Sequence, residues 1–238
     1  MIIKKEGGIN LYKTELHLHT APASVCGRVS PESVVEHYLK NGYSTIVITN
    51  HMTPSLFKDF DAKGLSFENA IEFYLNDYYR AKKYAGNRLN VLLGMEFRNY
   101  ENVNDYLVYG ITDDFLYNAK NLTGMKLRDA INVIHQNGAL VFQAHPFRNG
   151  ITVTDPRYLD GIEAGNFCVI REDRNDISEA WARKYRLKKV YGSDYHAISQ
   201  MCGAGILTDR PIISNEQLLE VLKTQNFKAT NGKNIINV

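Results

Sequence analysis

Two patterns of apolar residues alternate along this chain, one typical of strands and one typical of helices. Short, β-branched, almost continuously apolar runs are typical of parallel strands buried on both faces. They are followed by segments whose apolar residues have helical spacing. The predicted strands cover residues 14–20, 44–49, 90–97, 105–111, 139–144, 161–164 and 189–192. The main predicted helices cover residues 31–40, 66–84, 126–136, 177–185 and 215–224. This alternation, repeated about seven times, predicts a parallel sheet with helical crossovers.

Cap and turn residues mark the ends of these elements. Ser30 and Pro31 supply a helix N-cap and a proline at the first helical position. No internal repeat or linker-like break interrupts the pattern, so we predict a single domain over residues 1–238. A closed α/β barrel is the economical arrangement. An open, doubly wound sheet stays an alternative, because a sequence does not show strand order.

Composition narrows the class of protein without naming a partner. The chain has 238 residues, of which 44% are hydrophobic and 23% charged, as is usual for a globular protein. A formal net charge of +2 is too weak to indicate a long nucleic acid or an anionic membrane as the partner. Three widely spaced cysteines argue against a disulfide framework. With no secretory signal or apolar run of membrane-spanning length in the sequence, we expect a cytoplasmic protein that does not enter a membrane.

Ionisable residues collect where the predicted strands end. Five of the seven histidines and two carboxylates lie there: His17, His19, His51, Glu96, His145, Asp194 and His196. In a barrel of this class those strand ends share one face, so the seven side chains would converge. Such a cluster is electrostatically unfavourable without cations to bind. The pattern therefore predicts a multinuclear metal site, whereas His37 and His135 fall inside predicted helices and are expected to pack or to face solvent.

Six ordered motifs carry a resemblance to a known family. They are HLHT at 17–20, ITNH at 48–51, GMEFR at 94–98, QAHPFR at 143–148, DGIEAGN at 160–166 and GSDYHA at 192–197. Together they resemble the motifs of the PHP superfamily, the polymerase and histidinol phosphatase phosphoesterases. The resemblance extends from about residue 12 to 200. It implies an α/β fold, namely a distorted (β/α)7 barrel similar to a TIM barrel, with two or three divalent metal ions at its C-terminal mouth.

The resemblance also implies which residues hold each metal. One ion would be held by His17, His19, Glu96 and Asp194. Glu96 would bridge to a second ion, which His145 also binds. His51 and His196 would hold a third ion, with Asp194 close by. Imidazole and carboxylate ligands suit zinc, manganese or iron, and ligand type alone does not choose among them.

The chain departs from the family pattern at three places. The loop after HLHT lacks the usual acidic residue or histidine, and Cys26 is the nearest counterpart. Cys26 is a thiolate ligand, a neutral filler, which we prefer, or a sign that the third metal is weakly held. Asn50 replaces a common aspartate, and we expect it to orient His51 by a hydrogen bond. A histidine that often follows the bridging glutamate is absent. Asp105 is the best replacement, with hydrogen bonding at a strand start as its competing role.

The residue types favour metal-dependent hydrolysis of a small phosphate ester by metal-activated hydroxide. His196 or His51, with Asp194 beside them, is expected to help protonate the leaving oxygen. Arg148 and Arg98 are candidates for binding the nonbridging phosphate oxygens. Glu163 has two open roles, either orienting a metal-binding side chain or positioning its own loop.

Two other functions stay open from sequence. Barrel amidohydrolases, which hydrolyse C–N bonds, also carry an HxH motif on their first strand, but the chain has no suitable lysine at a strand end. A noncatalytic, degenerate PHP module is the third hypothesis, and the retained ligands weigh against it. Neither the substrate's identity nor the oligomeric state follows from the sequence.

Overall fold

The computed structural model describes residues 5–6 and 9–238. The strands are β1 (Lys5–Glu6), β2 (Ile9–Asn10), β3 (Tyr12–Leu18), β4 (Tyr43–Ile48), β5 (His51–Met52), β6 (Asn90–Phe97), β7 (Tyr106–Tyr109), β8 (Leu140–Gln143), β9 (Gly161–Asn166), β10 (Lys188–Gly192), β11 (Ala204–Thr208), β12 (Lys228–Asn231) and β13 (Ile235–Asn237). The α-helices are α1 (Pro31–Lys40), α2 (Pro54–Asp61), α3 (Phe67–Ala85), α4 (Asp113–Asn118), α5 (Leu127–Gln136), α6 (Asn175–Tyr185) and α7 (Asn215–Thr224). None of the helices described is long and apolar enough to cross a bilayer.

One large mixed sheet organises the fold. Its strand order is β10-β9-β8-β7-β6-β4-β3-β11-β12-β13, and β5 pairs beside β6. The pairs β3/β4, β4/β6, β8/β9 and β9/β10 are parallel, whereas β11, β12 and β13 pair antiparallel. The result is a mixed α/β fold with a curled sheet, and this curl brings strand ends that are distant in sequence together.

The curl of the sheet brings β10 back towards β3. The backbone N–H of His19 donates to the Tyr195 carbonyl at 2.8 Å, and the N–H of Tyr195 donates to the His17 carbonyl at 3.3 Å. These two bonds join the segment that follows β10 directly to the end of β3. The histidine pair of the first strand thereby lies next to Asp194.

The prediction of an all-parallel sheet is wrong for β7. This strand is antiparallel to both of its neighbours, β6 and β8. The connection from β6 to β7 spans only residues 98–105, and a parallel crossover needs a dozen or more residues. The reversal places the start of β7, with Asp105 just before it, at the same end of the sheet as the carboxyl ends of the parallel strands.

Both faces of the sheet are buried, as the apolar runs predict. Ile46 and Ile48 pack in a core cluster with α1 and α3, whereas Val47 packs in a second cluster on the opposite face. This alternation follows from the two-residue repeat of a strand. With both faces packed, the carboxyl ends of the strands are left as the place where polar side chains gather.

A buried carboxylate ties β3 to β10. Glu15 is fully buried, and its Oε1 accepts hydrogen bonds from the backbone N–H groups of Leu16, His17 and Ser193, each at 3.0 Å. Its Oε2 accepts from Ser193 Oγ at 2.7 Å and from Tyr38 Oη at 3.2 Å. Burial raises the pKa of Glu15 to about 7, against the opposing effect of these hydrogen bonds. Glu15 therefore holds the strand of the histidine pair in register with the segment of Asp194.

Replacing Glu15 should destabilise the fold strongly. In Glu15→Ala, several buried donors lose their acceptor, and we expect the free energy of unfolding to fall by about 3 kcal/mol. Chemical denaturation at constant pH and metal concentration measures this change. The matched control is Glu220→Ala on the exposed face of α7, which should change the same free energy by less than about 0.5 kcal/mol. Similar effects of the two variants would refute the role of Glu15.

Candidate metal centre

The predicted ligands converge at one cavity at the carboxyl end of the sheet. His17 and His19 are fully buried, Glu96 is 1% exposed, and His145 and Asp194 are 3% and 4% exposed. The cavity has a volume of about 410 Å³. Its lining includes Cys26, Arg28, His51, Glu96, Arg98, Asp105, His145, Arg148, Arg171, Asp194 and His196. The expectation that these distant residues meet at one mouth therefore agrees with the structure.

Glu96, at the end of β6, is surrounded by four imidazoles. Its Oε1 lies 3.2 Å from His17 Nε2 and 3.1 Å from His145 Nε2. Its Oε2 lies 3.3 Å from His19 Nε2 and 2.8 Å from His51 Nδ1. Each oxygen thus faces two nitrogen atoms, an arrangement that allows one carboxylate to contact two adjacent cations.

Asp194 completes the cluster from the opposite side. Its Oδ1 lies 3.4 Å from His17 Nε2 and 3.3 Å from His19 Nε2, and 3.5 Å from His196 Nδ1. The backbone of Asp194 has φ 49° and that of His145 has φ 29°, both in or near the left-handed region that non-glycine residues rarely adopt. Such strain costs about 1–3 kcal/mol per residue and collects at functional sites. The fold therefore accepts strain at two positions of this cluster.

Several buried atoms of the cluster are left without hydrogen bonds. Within the described part of the chain, His17 Nε2, His19 Nε2, His51 Nδ1 and Glu96 Oε2 have no partner of hydrogen-bonding geometry. A buried polar atom without a partner costs about 1–3 kcal/mol. Imidazole nitrogen and carboxylate oxygen are ligands for zinc, manganese and iron. The cluster therefore fits divalent metal ions, which would engage the atoms that the protein leaves unpaired.

Imidazoles and carboxylates of the cluster shift one another's pKa values. Burial would lower the pKa of His17 and of His51, but the charges of Glu163 and Glu96, respectively, raise these two pKa values. Burial would raise the pKa of Glu96, but the charges of His51 and His17 hold that pKa well below its usual range. Burial likewise opposes ionisation of Asp194, yet His17 and His19 hold its pKa well below normal. Burial and the charge of His51 lower the pKa of His19 to about 3. His19 is therefore neutral, which is the form in which an imidazole binds a metal.

Glu163, on β9, positions two members of the cluster. Its Oε1 accepts a hydrogen bond from His17 Nδ1 at 2.9 Å, because a carboxylate can only accept. Its Oε2 accepts from the His145 backbone N–H at 2.8 Å and from Asn166 Nδ2 at 2.9 Å. The bond to His17 directs the free Nε2 of that ring towards Glu96 and Asp194. A partner on the second ring nitrogen is the usual device for orienting a metal-binding histidine.

Asn50 does not orient His51 by a hydrogen bond, contrary to expectation. Its Oδ1 accepts from the Thr20 N–H at 2.8 Å and from Ser24 Oγ at 2.9 Å, and its Nδ2 donates to Thr20 Oγ1 at 2.8 Å. Consecutive residues of an extended segment point to opposite sides, so Asn50 turns away from the ring of His51. Asn50 instead supports Ser24, whose Oγ lies 3.2 Å from His19 Nδ1.

Cys26 lies inside the cluster rather than beside it. Its Sγ is 3.0 Å from His196 Nε2. Ligand atoms of His19, Cys26, His51 and His196 all lie within 4.8 Å of one another. Burial would raise the pKa of the Cys26 thiol, but hydrogen bonds from His196 and His51 lower it to about 6. This setting favours a thiolate over the neutral filler that the sequence suggested.

Asp105 is close to the cluster but is already paired. Arg98 donates to it through two parallel hydrogen bonds, Nε to Oδ1 at 2.7 Å and Nη2 to Oδ2 at 2.6 Å. Asp105 Oδ2 lies 4.0 Å from His145 Nε2, and ligand atoms of Asp105, Glu96 and His51 form a further group that could hold a metal ion. Asp105 thus lies at the expected place, hydrogen-bonded to Arg98 on one side and close to His145 of the cluster on the other.

Both arginines that the sequence suggested for phosphate binding are held by carboxylates. Arg98 pairs with Asp105, and Arg148 donates to Asp173 at 2.6 Å and to Asp194 at 2.8 Å. Sequence reasoning missed Arg28 and Arg171, which line the same cavity. Neither of these two side chains has an ion-pair partner among the side chains that the structure describes, those of residues 10–238. Proximity to a motif does not reveal which arginine is uncommitted, because pairing depends on distant carboxylates.

The two histidines expected outside the site do lie outside it. His37 Nδ1 is 2.9 Å from Tyr195 Oη. His135 Nε2 is 2.9 Å from Asp160 Oδ2 at a partly exposed position. Both have local partners, so neither is needed to explain the metal cluster.

Solved structures with the same fold include two assigned by prediction as metal-dependent phosphoesterases. A two-domain protein from Bacteroides vulgatus that contains a predicted PHP-like phosphoesterase has a TM-score of 0.67 and 16% identity, covering 97% of this chain and 67% of its own. The second, from Bifidobacterium adolescentis, has a TM-score of 0.53 and 16% identity, with 89% and 96% covered. An amidohydrolase from Chromobacterium violaceum has a TM-score of 0.57 and 14% identity, with 93% and 100% covered. At such identities these structures show a shared fold.

Comparison with curated proteins found no match. The family model of the PHP domain matches residues 15–224, a range that includes every member of the metal cluster. The chain therefore belongs to the PHP domain family.

Proposed function

We propose that this protein is a metal-dependent phosphoesterase that hydrolyses a small phosphorylated molecule. The observation that carries the proposal is the set of buried, unpaired ligand atoms around Glu96. A bound cation would engage several such atoms at once, and leaving them buried without hydrogen bonds is costly. Membership of the PHP family supports the same reaction class.

The cluster would hold two or three divalent ions, of zinc, manganese or iron. We assign the first to His17, His19, Glu96 and Asp194, the second to Glu96, His145 and Asp105, and the third to Cys26, His51 and His196. Bound ions of this kind activate water at neutral pH and neutralise the oxygens of a phosphate. Glu163 and Ser24 would keep the rings of His17 and His19 directed at their positions.

Residues of the chain itself would bind the phosphate and move a proton. We assign Arg28 and Arg171 to the nonbridging oxygens, since both guanidinium groups line the cavity and neither is committed to a carboxylate. Arg98 and Arg148 would instead hold Asp105 and Asp194 in place. His51 and His196 have side chains 24% and 18% exposed. Whichever of the two is released from the third ion would give a proton to the leaving oxygen, with Asp194 beside His196.

Hydrolysis of a C–N bond is the second candidate function. The amidohydrolase from Chromobacterium violaceum supports it, because that protein shares the fold. The lining of the cavity favours the phosphate ester: it contains four arginines and, among the residues described, no lysine. A noncatalytic module is the third candidate, and a metal-supplemented assay separates all three.

Further proposals concern the setting of the enzyme. We propose one domain over residues 1–238, built as a distorted (β/α)7 barrel in which β7 is the reversed unit. We also propose a cytoplasmic location, which the three free thiols of Cys26, Cys168 and Cys202 support.

A substrate screen tests the reaction class. With added Mn²⁺ or Zn²⁺, we expect turnover of a phosphate ester, and we expect a chelator, His17→Ala or Asp194→Asn to lower kcat/KM by about 100-fold or more. The panel contains phosphomonoesters, phosphodiesters and amides, and product release is measured for each. His135→Ala, which removes a surface histidine outside the cluster, should leave activity unchanged. Turnover of amides alone would favour the C–N reaction, and no metal-stimulated turnover at all would contradict both enzymatic functions.

Cobalt spectroscopy tests the ligand role of Cys26. Protein loaded with Co²⁺ should show a thiolate-to-cobalt charge-transfer band in the near ultraviolet, because a thiolate is the form of cysteine that binds metals. Cys26→Ser should remove the band and Cys202→Ser should retain it. A band that survives in Cys26→Ser would show that Cys26 is not a ligand.

A further inference from the structure

A second cavity adjoins the metal centre. Its volume is about 430 Å³, and Cys26, His51 and Arg98 line both cavities. The remaining lining comes from the loop after β3, from α2 and its flanking residues, and from α3, and it includes Val25, Leu56, Asp59, Phe60, Lys63 and Phe73. We call this cavity the α2 groove. Because the two cavities share three lining residues, a molecule bound at the metal centre by one end can place its other end against the groove.

The α2 groove differs chemically from the metal cavity. Val25 is 95% exposed, and Leu56, Phe60 and Phe73 are half-buried, so the groove presents apolar surface to solvent. The rings of Phe60 and Phe73 contact each other with their centroids 5.3 Å apart. Exposed apolar surface of this kind, next to a polar site, marks a place where a ligand binds.

Folding accounts for Leu56, which packs against the first core cluster, but not for Val25, Phe60 and Phe73. Within the described chain, no residue of α2 is fully buried, and Val25, Phe60 and Phe73 belong to neither core cluster. The helix follows directly after β5, the strand that carries His51. One side of α2 packs on the core through Leu56 and Phe57, and the aromatic surface left open beside His51 suits a wall of a binding site.

The charges of the groove argue against a second anionic group on the substrate. Asp59 and Lys63 are exposed, carry opposite charges and together leave no net charge. Arg98, at the boundary, is neutralised by Asp105 through two hydrogen bonds. The uncommitted Arg28 and Arg171 line the metal cavity and not this groove. The groove therefore suits an uncharged, apolar group.

We propose that the α2 groove holds the organic group of the substrate, and that this group is apolar: an aryl, cycloalkyl or medium-length alkyl group esterified to phosphate. The inference rests on the proposed phosphoesterase function. The volume of the α2 groove, about 430 Å³, falls in the usual range for small-molecule pockets. Hydrolysis breaks the phosphorus–oxygen bond to this group and adds the oxygen of water to phosphorus. The leaving oxygen takes a proton, so the groove releases an alcohol or a phenol.

Alkyl phosphates of matched reactivity test the proposal. Ethyl phosphate and hexyl phosphate release alcohols of similar acidity, so a difference in kcat/KM reports binding of the longer chain. We expect the wild-type protein to prefer hexyl phosphate by about tenfold or more, because each buried methylene group favours binding. Equal kcat/KM values for the two esters would overturn the proposal and leave the phosphoesterase function intact.

Variants locate the preference in the groove. Phe60→Ser and Val25→Asp should both bring the hexyl-to-ethyl ratio close to one. Val25 is 95% exposed, so its replacement does not threaten the core should Phe60→Ser fail to fold. Leu65→Ser, at an exposed apolar residue outside the groove, is the matched control and should keep the wild-type ratio. An unchanged ratio in Val25→Asp would also overturn the proposal.

Binding without turnover separates this inference from the reaction itself. Calorimetry with hexylphosphonate and ethylphosphonate, which cannot be hydrolysed at a phosphate ester bond, should give tighter binding of the hexyl compound by about tenfold. This result together with no ester hydrolysis would uphold the groove and reject the phosphoesterase function. Equal binding of the two compounds would reject the groove whatever the enzyme catalyses.

Discussion

A carboxylate that is 1% exposed and surrounded by four imidazoles is the constraint on which the rest of this structure depends. Burying Glu96 among groups of mixed charge is costly unless cations or protons balance the cluster. Other buried side chains hold this geometry in place. Glu15 ties the histidine strand to the segment of Asp194, and Glu163 and Ser24 orient the rings of His17 and His19.

Strand periodicity and strand direction explain what could be predicted from the sequence. Residues two apart on a strand share a face, so His17 and His19 were expected to act together, and strand ends were expected to meet at one mouth. Glu15 could have been found by the same spacing, since it stands two residues before His17 on the same side. The reversal of β7 could also have been predicted from its short connection to β6. Asp105 was predicted as a candidate ligand without knowledge of this reversal.

What the sequence could not show depends on which side chains become partners in the folded chain. Arg98 and Arg148 were chosen by their position next to motifs, yet Asp105 and Asp173 hold them, and Arg28 and Arg171 stay uncommitted. The helix α2 lies outside the main helices predicted from the sequence, and it forms a wall of the groove. The proposed substrate, with one phosphate and one apolar part, rests on two features: the arginine-lined cavity and the apolar groove beside it.

The number of divalent ions bound per chain tests the central claim most directly. Protein loaded with Mn²⁺ or Zn²⁺, freed of excess metal and analysed by elemental mass spectrometry should contain about two or three ions per chain. Glu96→Gln should fold as the wild type does, by circular dichroism, and lose at least one ion. Fewer than one ion in the wild-type protein, or the same content in Glu96→Gln, would contradict a metal cluster centred on Glu96.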